Sequence, residues 1–259
     1  MGKEMERFDM VKLRKILAVT ILSALAVVMV LPMILTVIRS FENGITGYTD
    51  FFLWKPYDLR LFCNSLLIAF AGAAGNVVVS VPAAYVFAKV KFRGRSVLFF
   101  LYIVVMMMPF QVTLLPQYLV SRAWGIYDTP AALILPGIFS TFGTFLLTQL
   151  LKTMPDEILD AARLETKSTL RLIWHLVLPY LRGGMICLFV LEFTELWNMV
   201  AEPLVLLETE WKMPLAAVWN QSGDSAALAA VVVFLLMPLL LYLLFADVLW
   251  EEMENLTGK

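Results

Sequence analysis

Long apolar runs alternate with short polar connections along this chain. Ile16–Ile38, Ser65–Ala88, Val97–Val120, Ala131–Leu150, Gly184–Leu206 and Ala227–Leu249 each hold about 20 or more mostly apolar residues, enough for a helix to cross roughly 30 Å of hydrocarbon. The pattern predicts six spanning helices. Pro32, Pro82, Pro109, Pro116, Pro136 and Pro238 fall inside them; bundled membrane helices tolerate proline because neighbours satisfy the freed carbonyls.

The connection Lys152–Arg182 has a helical pattern of its own. Thr153 is placed to cap a helix, with Pro155 early in it and Asp156 and Glu157 in the first turn, where they complement the helix dipole. Ile158, Ala161, Ala162 and Glu165 recur at helical spacing and leave a flat face of mostly short side chains. Ser168 starts a second helix, Thr169–Leu178, with Leu170, Ile173, Trp174 and Val177 on one side, and Pro179 stops it. The joint near Thr166 makes the element bent. A face of this kind is expected to be covered by another protein.

Composition agrees with the hydropathy. The chain is 61% hydrophobic and 16% charged, against about a quarter charged in soluble domains. The net charge of −1 hides an asymmetry. Fifteen of the 20 basic residues lie before the first predicted span, between the second and third, between the fourth and fifth, or at Lys259. The opposite side has only Arg39, Lys55, Arg60, Arg122 and Lys212. Positive charge stays in the cytoplasm, so both termini are expected there. The first run is too long for a signal-peptide core and lacks a small-residue cleavage site, so it reads as a retained span. Cys63 and Cys187 are isolated small apolar residues, with no spacing for a disulfide framework or metal site. Three regions follow: residues 1–63 (cytoplasmic segment, first span, external loop), a core at 64–250 that includes the 152–182 loop, and an acidic tail at 251–259.

Acids inside the fifth predicted span are the second unusual feature. Glu192, Glu195, Asn198 and Glu202 are spaced by three, three and four residues, placing them on one face of a continuous helix. An acid at mid-membrane costs about 2.5–3.5 kcal/mol, so the stripe should face protein or water. It either lines a polar pathway or pairs with polar groups of a partner; Glu202 also fits simple exposure at the outer surface. Trp211 and Trp219 in the last external connection fit either interfacial anchoring or partner docking. His175 has no accompanying nucleophile or carboxylate and reads as packing. Met106–Met108 read the same way, and the KVKFRGR run (Lys89–Arg95) as a topology determinant beside anionic headgroups.

The loop carries a family resemblance. Asp160-Ala161-Ala162, three residues, Thr166, nine residues, then Leu176-Val177-Leu178-Pro179 is similar to the E-A-A, three residues, G, nine residues, I-x-L-P pattern of ABC-importer permeases. The spacing is kept, with Thr166 where the family has glycine. NSLLIAF (Asn64–Phe70), AAYVFAKVKFRGR (Ala83–Arg95), MMMPFQVTLLPQYL (Met106–Leu119), ALILP (Ala132–Pro136) and WNMVAEPL (Trp197–Leu204) resemble the shorter membrane subunit of the maltose-type carbohydrate importers. The resemblance runs from about Asn64 to Pro238. The family often ends in a basic, glycine-bearing tail, which ADVLWEEMENLTGK does not match.

The resemblance implies an all-α polytopic membrane protein of six helices with a coupling helix between spans four and five. It implies a bacterial cell-membrane permease subunit forming half of a pathway for a carbohydrate, an oligosaccharide or amino sugar. Glu157, Asp160, Ala161, Ala162, Arg163, Glu165, Thr166 and Ser168 would contact a cytoplasmic ATPase dimer; Glu192, Glu195, Asn198 and Glu202 would line the pathway. A second permease subunit, an extracellular solute-binding protein and membrane lipid are the other implied partners, with no nucleic acid. No G-x-x-x-x-G-K-[ST] phosphate loop occurs, so ATP and magnesium are expected on the partner, with no cofactor, catalytic residue or metal site in this chain. The alternatives are a lipid-modifying membrane enzyme and an importer for a non-sugar solute.

Overall fold

The computed structural model describes residues 2–54, 56–218 and 225–257, with side chains over 15–53, 56–218 and 227–251. Regular structure among the described residues is helical throughout. The chain separates into two compact units, Met1–Lys55 with Ser222–Phe234, and Pro56–Gln221 with Leu235–Lys259.

In the first unit, α1 (Gly2–Ser40) exposes nearly all its apolar side chains from Ile16 onward. At its end the Ser40 Oγ pairs with the Tyr48 hydroxyl at 2.7 Å, and the Phe41 and Tyr48 rings sit 5.0 Å apart. The second unit is built on α2 (Pro56–Lys89). Proline at the first helical position lacks only an N–H that would be unpaired anyway, so the helix starts there. Residues 56–63, placed by the sequence in the region that ends in an external loop, are therefore helical.

The longer helices that follow in this unit are α3 (Arg95–Met106), α4 (Phe110–Ala123), α5 (Ala131–Ile138), α6 (Thr141–Lys152), α7 (Asp156–Glu165), α8 (Thr169–Tyr180), α9 (Arg182–Trp197) and α10 (Ala201–Leu206), with short turns of helix at Glu210–Lys212 and Leu215–Val218. Helix α11 (Ser225–Thr257) closes the chain. Its helical backbone continues past Glu251, so no element boundary sets off the acidic tail.

Helices α5, α6 and α9 pack against α2. Contact is close because the sequence supplies glycine there: a Cβ at Gly72 would collide with Leu196, and one at Gly75 with Ile138. Small residues permit such approach where lipid provides no hydrophobic drive for helix pairing. Trp197 is fully buried, stacked on Phe193 at 5.5 Å and edge-on to Phe62 at 5.5 Å.

Lys15–Ser40, Pro56–Lys89, Ala131–Lys152 and Ala227–Glu251 are long and apolar enough to cross a membrane. Two further pairs, α3 with α4 and α8 with α9, qualify only as bent spans, at 98° and 76°. The single spanning helix expected over Val97–Val120 is thus two pieces joined at a sharp bend. Pro109 has no N–H and drives Met108 away from helical geometry; at ψ 139° it becomes the start of α4. Gly184–Leu206 is likewise divided, between Trp197 and Ala201.

At the basic end, one apolar cluster joins the spans to the 152–182 loop: Val81, Leu147, Leu151, Leu159, Leu172 and Leu188 are among its buried members. Thr153 does not cap α7. Its hydroxyl is bonded to the Leu150 carbonyl (2.7 Å) and paired with the Tyr180 hydroxyl (2.9 Å), and Pro155 holds the cap position.

Candidate functional site

Two features of the second unit carry chemistry: a cavity with acidic walls and the bent loop at the basic end. The cavity, about 340 Å³, is lined from α4 by Thr113 and Gln117, from the α5–α6 joint by Ser140 and Thr141, and from α9 and α10 by Glu192, Glu195 and Glu202. Its lining holds no lysine, arginine or histidine. Glu192 is 2% exposed and accepts a hydrogen bond from the Ser140 hydroxyl at 2.8 Å. Glu195 is exposed and Glu202 half-buried. Met107, Met108 and Phe139, at or beside the wall, are also exposed, so the described chain forms only part of an enclosure. Carboxylates with hydroxyl and amide neighbours can accept hydrogen bonds from a polyol or amine and repel an anion.

The acids reach this cavity by a different route from the one the spacing implied. Helix α9 ends at Trp197, and Glu202 rides on the separate α10. Asn198 terminates α9, and its Nδ2 donates back to the Thr194 carbonyl at 2.7 Å. Glu192, Glu195 and Glu202 line the cavity and Asn198 does not. Single-span periodicity missed Ser140, Thr141, Thr113 and Gln117, which come from other helices; the one available signal was polar residues beside proline-broken runs.

The bent loop is an elbow anchored to the spans. On α7, Leu159 is buried and Ala162 half-buried against the cluster. Glu157, Asp160, Ala161, Arg163 and Glu165 are exposed, with Arg163 bridging Asp160 at 3.1 Å. Leu164 is 90% exposed. Thr166 makes the joint in extended backbone (φ −144°, ψ 134°), and its Oγ1 accepts from the Ser168 N–H at 3.3 Å. A β-branched residue suits that geometry, so no glycine is needed. Ser168 caps α8, accepting from the Arg171 N–H at 3.4 Å. Residues Ile173–Val177 form a widened π turn, which inserts a residue and shifts the register. The buried side is therefore Leu172 and Val177, while Leu170 and Trp174 point outward, correcting the single-sided stripe expected.

Lys89, which the sequence marked only as part of a basic run, ties the elbow to α2. Its Nζ, 4% exposed at the side chain, donates to the Met154 carbonyl (2.6 Å) and to Asp156 Oδ1 (2.7 Å). That hydrogen bond holds the Asp156 carboxyl below its ordinary range.

At the opposite end, Asp128 sits in left-handed backbone at φ 55°. It accepts from the Glu208 and Thr209 N–H groups, the Thr209 hydroxyl and Lys212 Nζ at 2.6–3.0 Å. The same connection is held by Asn64, whose Nδ2 donates to the Trp211 and Met213 carbonyls. Arg60 stacks on Trp211 at 4.0 Å. Trp219 lies outside the described residues. No group of three His, Cys, Asp or Glu side chains is arranged to hold a metal among the described residues.

Residues 76–250 match the family described as "Binding-protein-dependent transport system inner membrane component". The sn-glycerol-3-phosphate transport system permease protein UgpE of Yersinia enterocolitica is 31% identical over 197 residues, 73% of this chain and 70% of that protein. Its counterpart from Pectobacterium atrosepticum is 32% identical over the same shares. A chain of a bacterial ABC transporter involved in the import of the acidic polysaccharide alginate superposes with a TM-score of 0.80. It covers 91% of this chain and 96% of its own length at 18% identity, a likeness of fold.

Proposed function

Because the chain belongs to the family of binding-protein-dependent transport system inner membrane components, we propose that its acid-walled cavity is its share of a solute pathway and its elbow the point where a motor subunit acts. The protein is a multi-pass bacterial membrane protein, the permease subunit of an ABC importer. In this reading a second permease subunit completes the cavity, a cytoplasmic ATPase dimer binds ATP and magnesium, and a solute-binding protein delivers cargo to the opposite end. The distribution of basic residues puts the elbow in the cytoplasm. The chain itself does no covalent chemistry.

The cargo we infer is a neutral or amino sugar. The observation behind this is the cavity lining, which has Glu192, Glu195 and Glu202 and no basic side chain. The Yersinia and Pectobacterium relatives are named for sn-glycerol-3-phosphate, an anion that this wall would repel. Glu192→Gln and Glu195→Gln should each lower uptake by about tenfold, since a hydrogen bond to a charged group contributes about 1.5–3 kcal/mol. Unchanged affinity and rate in both variants would remove these residues from the pathway.

A further inference from the structure

The span Ala131–Lys152 is broken between Ile138 and Thr141. The break interrupts the helical ladder at the end of α5: the Gly137 carbonyl accepts the Ser140 N–H at 3.1 Å in a tight turn, and the carbonyls from Gly137 to Ser140 need a further donor. That further donor is Asn76, a fully buried residue midway along α2. Its Nδ2 lies 3.2, 3.1 and 3.0 Å from the carbonyls of Gly137, Ile138 and Ser140. Its Oδ1 accepts from the Ser80 hydroxyl at 3.2 Å, and Thr144 continues the chain to Ser80 at 3.4 Å. Space for the amide comes from Gly143, where a Cβ would strike both Asn76 Oδ1 and Ser80 Oγ. Ser140, whose carbonyl is held this way, donates its hydroxyl to Glu192 at the cavity wall.

We propose that Asn76 is a positioning residue of the solute pathway: its amide clamps the break in the span and so fixes the Ser140 hydroxyl on the Glu192 carboxylate. The clamp is a matter of local structure, while its consequence for transport rests on the cavity being the pathway. Glu192 is one of the acids that sequence singled out; Asn76 touches no cargo and acts through Ser140.

Packing and hydrogen bonding can be separated at this site. Asn76→Ala removes the donor and leaves a space, and Gly143→Ala refills it once the Ser80 hydroxyl, freed from Asn76, turns away from the new Cβ, so the double variant fills the space without the amide. Both variants are made in the whole transporter, with Cys63 and Cys187 replaced by serine and Thr141→Cys as a reporter on the cavity wall. The readouts are the rate of Thr141→Cys modification by a methanethiosulfonate reagent, and stimulation of ATP turnover by the solute-binding protein in proteoliposomes. The double variant should assemble normally, change the modification rate at least threefold, and lose stimulation at least tenfold. Asn76→Gln, which keeps the amide, should recover part of the stimulation. Wild-type modification in a normally assembled double variant overturns the clamp. A changed modification rate with full stimulation leaves the clamp standing and overturns the assignment of this wall to the pathway.

Discussion

At Asp128 a single carboxylate organises the connection from Leu207 to Leu215, because four donors converge on it and its left-handed backbone aims both oxygens at them. The Lys212 hydrogen bond, first among these, pushes its pKa far below the ordinary value of 3.8. A group whose folded value is depressed contributes stability that is complete above the unfolded value and is lost as pH falls toward the folded one. The loop should therefore hold unchanged from pH 7 to 5 and loosen only below about 3.8. Asp128→Asn should loosen it at neutral pH. Tryptic cleavage after Lys212 in the intact complex should then accelerate roughly tenfold, the equivalent of about 1.4 kcal/mol. Equal cleavage rates would show that Asn64 and Ser65, which also bond this connection, hold it unaided.

Among the elements, the elbow carries the sharpest expectation about sequence. The ABC permeases that this chain resembles have glycine where it has Thr166, yet the joint is extended backbone with a side-chain hydrogen bond to Ser168. Thr166→Gly should destabilise the joint by about 1 kcal/mol, through added freedom in the unfolded chain. Hydrogen exchange over 164–170 should quicken accordingly, and slower exchange would mean that threonine strains the bend.

The two-helix form of this loop was legible in the sequence because Ser168 starts α8 as its hydroxyl dictates, although Thr153 does not cap α7 and α8 runs through Pro179 to Tyr180 without stopping there. The register inside α8 was not, since a π turn has no signature in apolar spacing. The acids on α9 were visible as costly intramembrane charges, and they do share a cavity. What spacing could not give was the break after Trp197, which carries Glu202 to the cavity on α10 and leaves Asn198 out. Lys89 and Asn76 were illegible as joints for the same reason: their partners lie more than 60 positions away along the chain.

Over the whole molecule, the second unit reads as a lever. The elbow is fixed to the spans by Leu159, Leu172 and Leu181 in the core and by Lys89 at α7, while Ala161, Leu164, Leu170 and Trp174 face outward without cover from the described residues. A rigid base and an uncovered apolar tip suit a part that is pushed by another subunit. Lys89→Met should leave the tip intact but detach it from α2, so ATP turnover would continue with its stimulation by the loaded binding protein reduced about tenfold; full stimulation would show that the apolar core transmits the motion without the lysine. The most direct measurement is co-purification with the ATPase after Ala161→Asp and Leu164→Asp, both on the exposed side of α7. Each charge should release the ATPase while the permease pair still purifies intact. Retention of the ATPase in both variants, with cargo-stimulated ATP turnover unaltered, would contradict the lever.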